Sequence, residues 1–127
     1  MPSHKPSNYS TVSPYLIVDG AARTIRFPET ALDAIELRRF PAVGDSIMHA
    51  EVRIDDTILM IADAAEGWPA QPSHVHIYVP DVDATYQRAI DAGALSVQEP
   101  VKKDDADRRA GVKDAGGTTW WIATMMS

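Results

Sequence analysis

Residues 73–94 read SHVHIYVPDVDATYQRAIDAGA, and this stretch decides the fold. HVHIYV reads as a strand, in which His74 and His76 share a face roughly 7 Å apart. DVDATYQRAIDAG reads as a helix with an acidic start and a glycine stop. ALSVQEP follows as a strand. VKKDDADRRA reads as a charged loop, GVK as a short strand, DAGG as a turn and TTWWIATM as a last strand. The second half of the chain is therefore βαβββ.

The same order precedes it. SPYLIVDG is a strand closed by Gly20. AARTIRFPETALDA has apolar Ile25, Ala31 and Leu32 near helical spacing, and Pro28 predicts a kink or early stop. IELRRF is a strand and PAVGD a turn. SIMHAEVRI alternates, with Met48, Ala50, Val52 and Ile54 on one face and His49, Glu51 and Arg53 on the other. After the DD turn, TILMIAD is another strand. AAEGWPAQPS is a seam carrying two prolines. The halves echo one another at an offset of 60 or 61 residues: AEVR at 50–53 with AGVK at 110–113, TILMIA at 57–62 with TTWWIA at 118–123, and LIVDG at 16–20 with IYVPD at 77–81. Three echoes within one residue of the same offset mark a duplicated supersecondary unit.

Bulk composition narrows the function. The chain has 127 residues, 45% hydrophobic and 24% charged, the make-up of one globular domain. Its net charge of −6, without a basic run, argues against nucleic acid. It has no cysteine, which removes disulfides, thiolate metal sites and a cysteine nucleophile. Without cysteine or a signal-peptide pattern, a cytoplasmic home is expected. Its apolar runs fall well short of the roughly 20 residues of a membrane helix, so no membrane is expected as partner. Residues 1–12, rich in Ser, Pro and Asn, read as a flexible arm. Residues 13–127 form a single domain: module one at 13–63, linker at 64–72 and module two at 73–127.

The paired βαβββ unit resembles the vicinal oxygen chelate superfamily, which includes glyoxalase I, bleomycin-resistance proteins, fosfomycin-resistance enzymes and extradiol dioxygenases. Within it the chain looks most like the PhnB-like branch. VSPYLIVDGAARTIRF, IMHAEVRIDDTILMIAD, HIYVPDVDATYQRAIDAGA and DRRAGVKDAGGTTWWIAT carry the resemblance, together spanning most of Val12 to Thr124. It implies an α+β fold: two modules forming a curved eight-stranded mixed sheet, a glyoxalase-like cup with helices on the convex side. It also implies a ligand in the concave side and a homodimer. The chain departs from the family pattern where Pro28 follows Phe27, where Asp33 replaces a usual glycine, and where Ala115 takes a proline position.

Metal-dependent members of the superfamily place four ligands on the concave face, and the resemblance maps these onto Ser13, Met60, His74 and Trp121. Only His74 is a good donor. Met60 offers a soft thioether, Trp121 has no lone pair for a metal, and Ser13 is weak. The usual metal site is thus expected to be absent and no cofactor is required, although a divalent metal remains open through a rebuilt site. His49 and Glu51 share a strand face as His74 and His76 do. If those faces met, they could bind a metal or work as acid and base, which makes His49, Glu51 and His76 the catalytic candidates. Each also has a plain structural alternative: a satisfied core histidine, or a glutamate paired with an arginine. The projected cup holds Tyr15, Met60, Tyr78 and Trp121 beside His49, Glu51, His74 and His76, an aromatic wall with a few polar groups. Leu59, Ile61, Trp120 and Ile122 supply the opposite, helix-facing core.

Three functions fit this reading. The first is a binder of a small aromatic or cationic molecule. The second is an enzyme of lyase, isomerase or dioxygenase type using His49, Glu51, His74 and His76. The third is an interaction protein whose cup is closed.

Overall fold

The computed structural model describes residues 4–126. In order they form β1 (Tyr15–Val18), α1 (Ala21–Ala31), β2 (Ile35–Pro41), β3 (Ile47–Ile54) and β4 (Thr57–Asp63), then β5 (Ser73–Tyr78), α2 (Val82–Asp91), β6 (Leu95–Lys102), β7 (Asp107–Lys113) and β8 (Thr118–Met125). The eight strands divide into two sheets of four, ordered β1-β4-β3-β2 and β5-β8-β7-β6. Each pairs its first and last strands in parallel and the rest antiparallel. This is βαβββ twice, α+β in class. No described helix is long and apolar enough to cross a membrane.

Alternation decides which residues face the helices. Leu16 and Val18, Ala50 and Val52, and Leu59 and Ile61 are buried, and they join Val112, Trp120 and Ile122 of the second sheet in one core cluster. That cluster contains residues from both modules because α1 touches both. Its Phe27 ring lies 5.8 Å from Trp120. Gly116, in the β7–β8 turn, comes so close to Thr24 of α1 that a Cβ there would overlap its hydroxyl. Arg88 of α2 donates to the Thr30 carbonyl at 2.8 Å and pairs with Asp33.

Two expectations need correction. α1 does not break at Pro28 but runs on to Ala31, because proline forfeits one amide bond only. It then ends with the Leu32 and Ala34 amides both donating to the Pro28 carbonyl, at 2.8 and 3.1 Å. The stretch DRRA is strand, not loop: β7 begins at Asp107, and the true loop is residues 103–106. Its arginines hide the strand from a hydropathy reading. Arg108 reaches out to Asp83, at the start of α2, and Arg109 turns to the other face and pairs with Asp105 and Asp107.

Two aspartates complete local geometry that their own segments leave open. Gly20, at the α1 N-cap, has φ +82° and no side chain to cap with, so Asp63 of β4 does the work. Its Oδ1 accepts from the Gly20 and Ala21 amides at 2.9 and 2.8 Å, and its Oδ2 from Ile47 at 2.7 Å. Asp114 closes the DAGG turn in the same manner, accepting from the Gly116 and Thr118 amides and from Trp120 Nε1.

Candidate functional site

With Leu16, Ala50, Val52, Leu59 and Ile61 turned to the helices, the intervening residues of the first sheet must line its other face. Register sets the neighbours there. Met60 lies opposite both Tyr15 and Glu51, Arg38 opposite Glu51, and Phe40 opposite His49. A polar chain crosses the sheet as a result. The Tyr15 hydroxyl bonds His49 Nδ1 at 2.9 Å, and His49 Nε2 bonds Glu51 Oε2 at 2.8 Å. Glu51 Oε1 accepts from Arg38 Nε at 2.7 Å and from the Tyr9 hydroxyl at 2.5 Å.

Glu51 is only 4% exposed, so its charge needs partners. Burial pushes its carboxyl upward. The hydrogen bonds from Tyr9, His49 and Arg38, with the Arg38 charge, outweigh this and hold it at about 2. A carboxylate so fully ionised can only accept, so His49 Nε2 carries a proton. In a neutral imidazole, Nδ1 is then the lone-pair nitrogen facing Tyr15.

A cavity of about 860 Å³ opens over the same face, lined by Tyr15, Ile17, Ile47, Met48, Ala62 and Trp68 with parts of the loops at 42–46 and 63–65. Every lining residue belongs to the first module or the linker that follows it. No Lys or Arg lines it, and the single carboxylate, Asp63, already accepts three backbone amides.

The second sheet's helix-free face is built differently. Trp121 lies edge to edge with His74, the rings 7° from parallel and their centroids 6.2 Å apart, and its Nε1–H donates to His74 Nδ1 at 3.0 Å. Arg109 Nε–H donates to His76 Nε2 at 3.1 Å. Burial and then the Arg109 charge push the His76 imidazolium down, favouring the neutral ring. Tyr78 donates to Asp107 at 2.7 Å, and that bond raises its phenol above the usual range. Tyr78 is 63% exposed, and His74 and His76 are exposed beside it.

The eight projected cup residues therefore fall into two groups. Tyr15, His49, Glu51 and Met60 share the first sheet's open face, and His74, His76, Tyr78 and Trp121 share the second's. Among the described residues, no hydrogen bond joins one group to the other: the first closes on its own sheet with Tyr9 of the N-terminal arm, and the second within its own module. Ser13 precedes β1 and bonds Ser10. Tyr9, Arg38, Asp107 and Arg109 take part without having been picked out from the sequence. For Arg38 a signal exists: folding IELRRFP back on SIMHAEVRI across the PAVGD turn sets it opposite Glu51. For Tyr9, which is 42 residues from Glu51, no local signal exists.

The donor set fits a divalent ion poorly. Among the described residues no group of three or more His, Asp or Glu side chains is arranged to hold a metal. A metal on His74 Nε2 would require a proton on Nδ1, which would then oppose the Trp121 N–H. A metal on His76 Nδ1 would set an Nε2 proton against Arg109.

Residues 10–122 match the family model described as Glyoxalase/Bleomycin resistance protein/Dioxygenase superfamily. An uncharacterized protein of Mycobacterium tuberculosis strain H37Rv is 35% identical over 120 residues, covering 86% of this chain and 71% of that protein. Among solved structures, TioX from Micromonospora sp. ML1 is similar with TM-score 0.78 and 25% identity, covering 91% of this chain and 98% of that one. TnmS3, an antibiotic binding protein from Streptomyces sp. CB03234, shares the fold with TM-score 0.69 and 20% identity, covering 91% and 98%.

Proposed function

Because the chain belongs to the Glyoxalase/Bleomycin resistance protein/Dioxygenase superfamily, we propose that it binds a small aromatic or cationic molecule over the open face of its first sheet, without a resident metal. The cavity carries this reading. Its volume of about 860 Å³ is that of a small-molecule site, and its wall is largely apolar. Tyr15 and Trp68 offer ring faces for stacking or cation–π contact. A cavity of this size gives no support to a closed cup.

The reading includes a homodimer. The cavity wall takes nothing from the second module, while that module leaves Tyr78, His74 and His76 exposed on its own open face. A second copy laying that face over the cavity would complete a cup from two chains. Sedimentation velocity reads this directly: a dimer is expected, and a monomer at micromolar concentration would remove it.

An enzyme remains the second reading, on one observation. The Tyr15–His49–Glu51 chain has the form of a base oriented by a carboxylate. Here Glu51 is the orienting group, since Arg38 and Tyr9 hold it ionised. His49 would be the base, acting through the Tyr15 hydroxyl.

The test is a thermal-shift panel of aromatic and cationic compounds on the wild type and on Ile17→Trp, which fills the cavity floor. A ligand at 100 times its Kd adds about 2.7 kcal/mol of stability. A rise in Tm that Ile17→Trp abolishes is expected. No rise with any compound, or a rise that the variant leaves intact, overturns the cavity reading.

A further inference from the structure

Few polar side chains line the cavity, and the hydrogen of one of them, Tyr15, is spent before a ligand arrives. His49 Nε2 donates to the Glu51 carboxylate at 2.8 Å. With the ring neutral, His49 Nδ1 is an acceptor, and it lies 2.9 Å from the Tyr15 oxygen. Tyr15 must therefore spend its only proton inside this chain. Asp63, on the same wall, is an acceptor whatever its neighbours do, and three amides already point at it. The donors nearby are Trp68 Nε1, on a side chain 67% exposed, and the Ser46 hydroxyl, which can turn either way.

We propose that Tyr15 meets the ligand as a hydrogen-bond acceptor, so that the cavity selects aromatic molecules carrying an N–H or O–H donor over their N- or O-methylated counterparts. The geometric ground is that the phenol's hydrogen is committed to His49 while its oxygen keeps lone pairs. This rests on the cavity-binding reading above. It adds the polarity of the ligand, which an apolar wall alone would leave open. The preference has a physical source: an acceptor buried by a bound ligand that lacks a donor loses its water without replacement.

Glu51, Arg38 and Tyr9 act here as positioning residues. Arg38 and Tyr9 hold Glu51 as a carboxylate, which fixes the protonated nitrogen of His49, which fixes the polarity of Tyr15. Removing the imidazole acceptor should release the Tyr15 proton and let the phenol donate as well as accept.

The test uses indole and 1-methylindole, two probes of nearly the same shape that differ in the N–H. Binding is followed by titration calorimetry at pH 8.5. Wild type should prefer indole by about 5-fold, the equivalent of one net hydrogen bond. Tyr15→Phe should bind 1-methylindole as wild type does and lose the preference. His49→Leu should keep it, because the phenol oxygen still has lone pairs, and should gain relative affinity for naphthalene-2-carboxaldehyde, which carries only an acceptor, over naphthalene, because the freed phenol proton can now be donated. Equal binding of the two indoles by wild type, or a preference that survives in Tyr15→Phe, overturns the assignment while leaving the cavity reading standing. Absence of binding by all four probes overturns the assignment, and with no thermal shift from the wider panel it overturns the cavity reading as well.

Discussion

Gly111 lies directly beneath the ring of Trp121: a Cβ built on Gly111 would stand 2.6 Å from Cζ3 and 2.8 Å from Cε3 of the indole. The two residues are cross-strand partners in β7 and β8. Their counterparts in the first module are Glu51 and Met60, also partners. One duplicated position has thus been used in two ways. Module one places a carboxylate there and builds a polar chain around it. Module two leaves the position empty, and a tryptophan lies across the gap and bonds His74.

Adding a methyl group at Gly111 forces the indole to move. Overpacking of this kind costs about 1–3 kcal/mol. Gly111→Ala should therefore lower Tm by several degrees, and Trp121→Ala should make the same change nearly free. A double-mutant cycle measured by urea denaturation reads the coupling. If Gly111→Ala costs the same with and without the Trp121 ring, the contact is not the cause.

Asp114 is 6% exposed and answers three donors: two turn amides and the indole N–H of Trp120, itself fully buried. Asp114→Ala leaves these donors without a partner and should cost about 3 kcal/mol or more. Asp114→Asn keeps one acceptor oxygen and should cost less. Equilibrium unfolding gives the order, and Trp120 fluorescence should shift in both variants. An alanine variant within about 0.5 kcal/mol of wild type would show that water takes over the carboxylate's place.

The acid limb of stability should carry the mark of Glu51. Its folded-state pKa, about 2, lies below the ordinary 4.5. A depressed carboxyl stabilises the fold fully above its unfolded value and loses that contribution as pH falls through the folded one. The contribution, of the order of 3 kcal/mol at most, should therefore fade between about pH 5 and pH 2. Glu51→Gln should be less stable than wild type at pH 7 and show a shallower decline over that window. Parallel declines in the two proteins would mean other carboxyls account for it.

Much of this was legible without coordinates, because period-2 alternation and the 60-residue echo are properties of the chain itself. HVHIYV and SIMHAEVRI display their faces by spacing alone, so the pairings His49 with Glu51 and His74 with His76 could be read directly. Whether those pairs meet could not, since that depends on how two sheets pack, and no local pattern encodes it. The tie from Tyr15 to His49 needs the strand order β1-β4-β3. Asp63 looks like the end of a strand, yet its task is to cap a helix 42 residues earlier in the chain. Asp107 and Arg109 read as loop because their charges outweigh strand propensity, although each charge finds a partner on the sheet's open face.

Metal addition gives the sharpest check on the histidines. Zn²⁺, Mn²⁺, Co²⁺, Ni²⁺ and Fe²⁺ prefer imidazole nitrogens that carry a free lone pair. On His74 and His76 the accepting nitrogen is already matched to a donor, Trp121 and Arg109 in turn. Binding there would have to break the Trp121 bond or turn a protonated nitrogen against a guanidinium, and either step lowers affinity. Tm should therefore stay unchanged across the metal series, and protein purified without chelator or affinity metal should hold far less than one equivalent. Trp121→Phe removes the opposing N–H and should raise whatever weak affinity His74 has, without reaching stoichiometric binding. Near-stoichiometric metal in wild type, lost in His74→Ala, would mean that the Trp121–His74 hydrogen bond opens in solution. The functional reading would then move to a metal-dependent lyase or dioxygenase with a rearranged site.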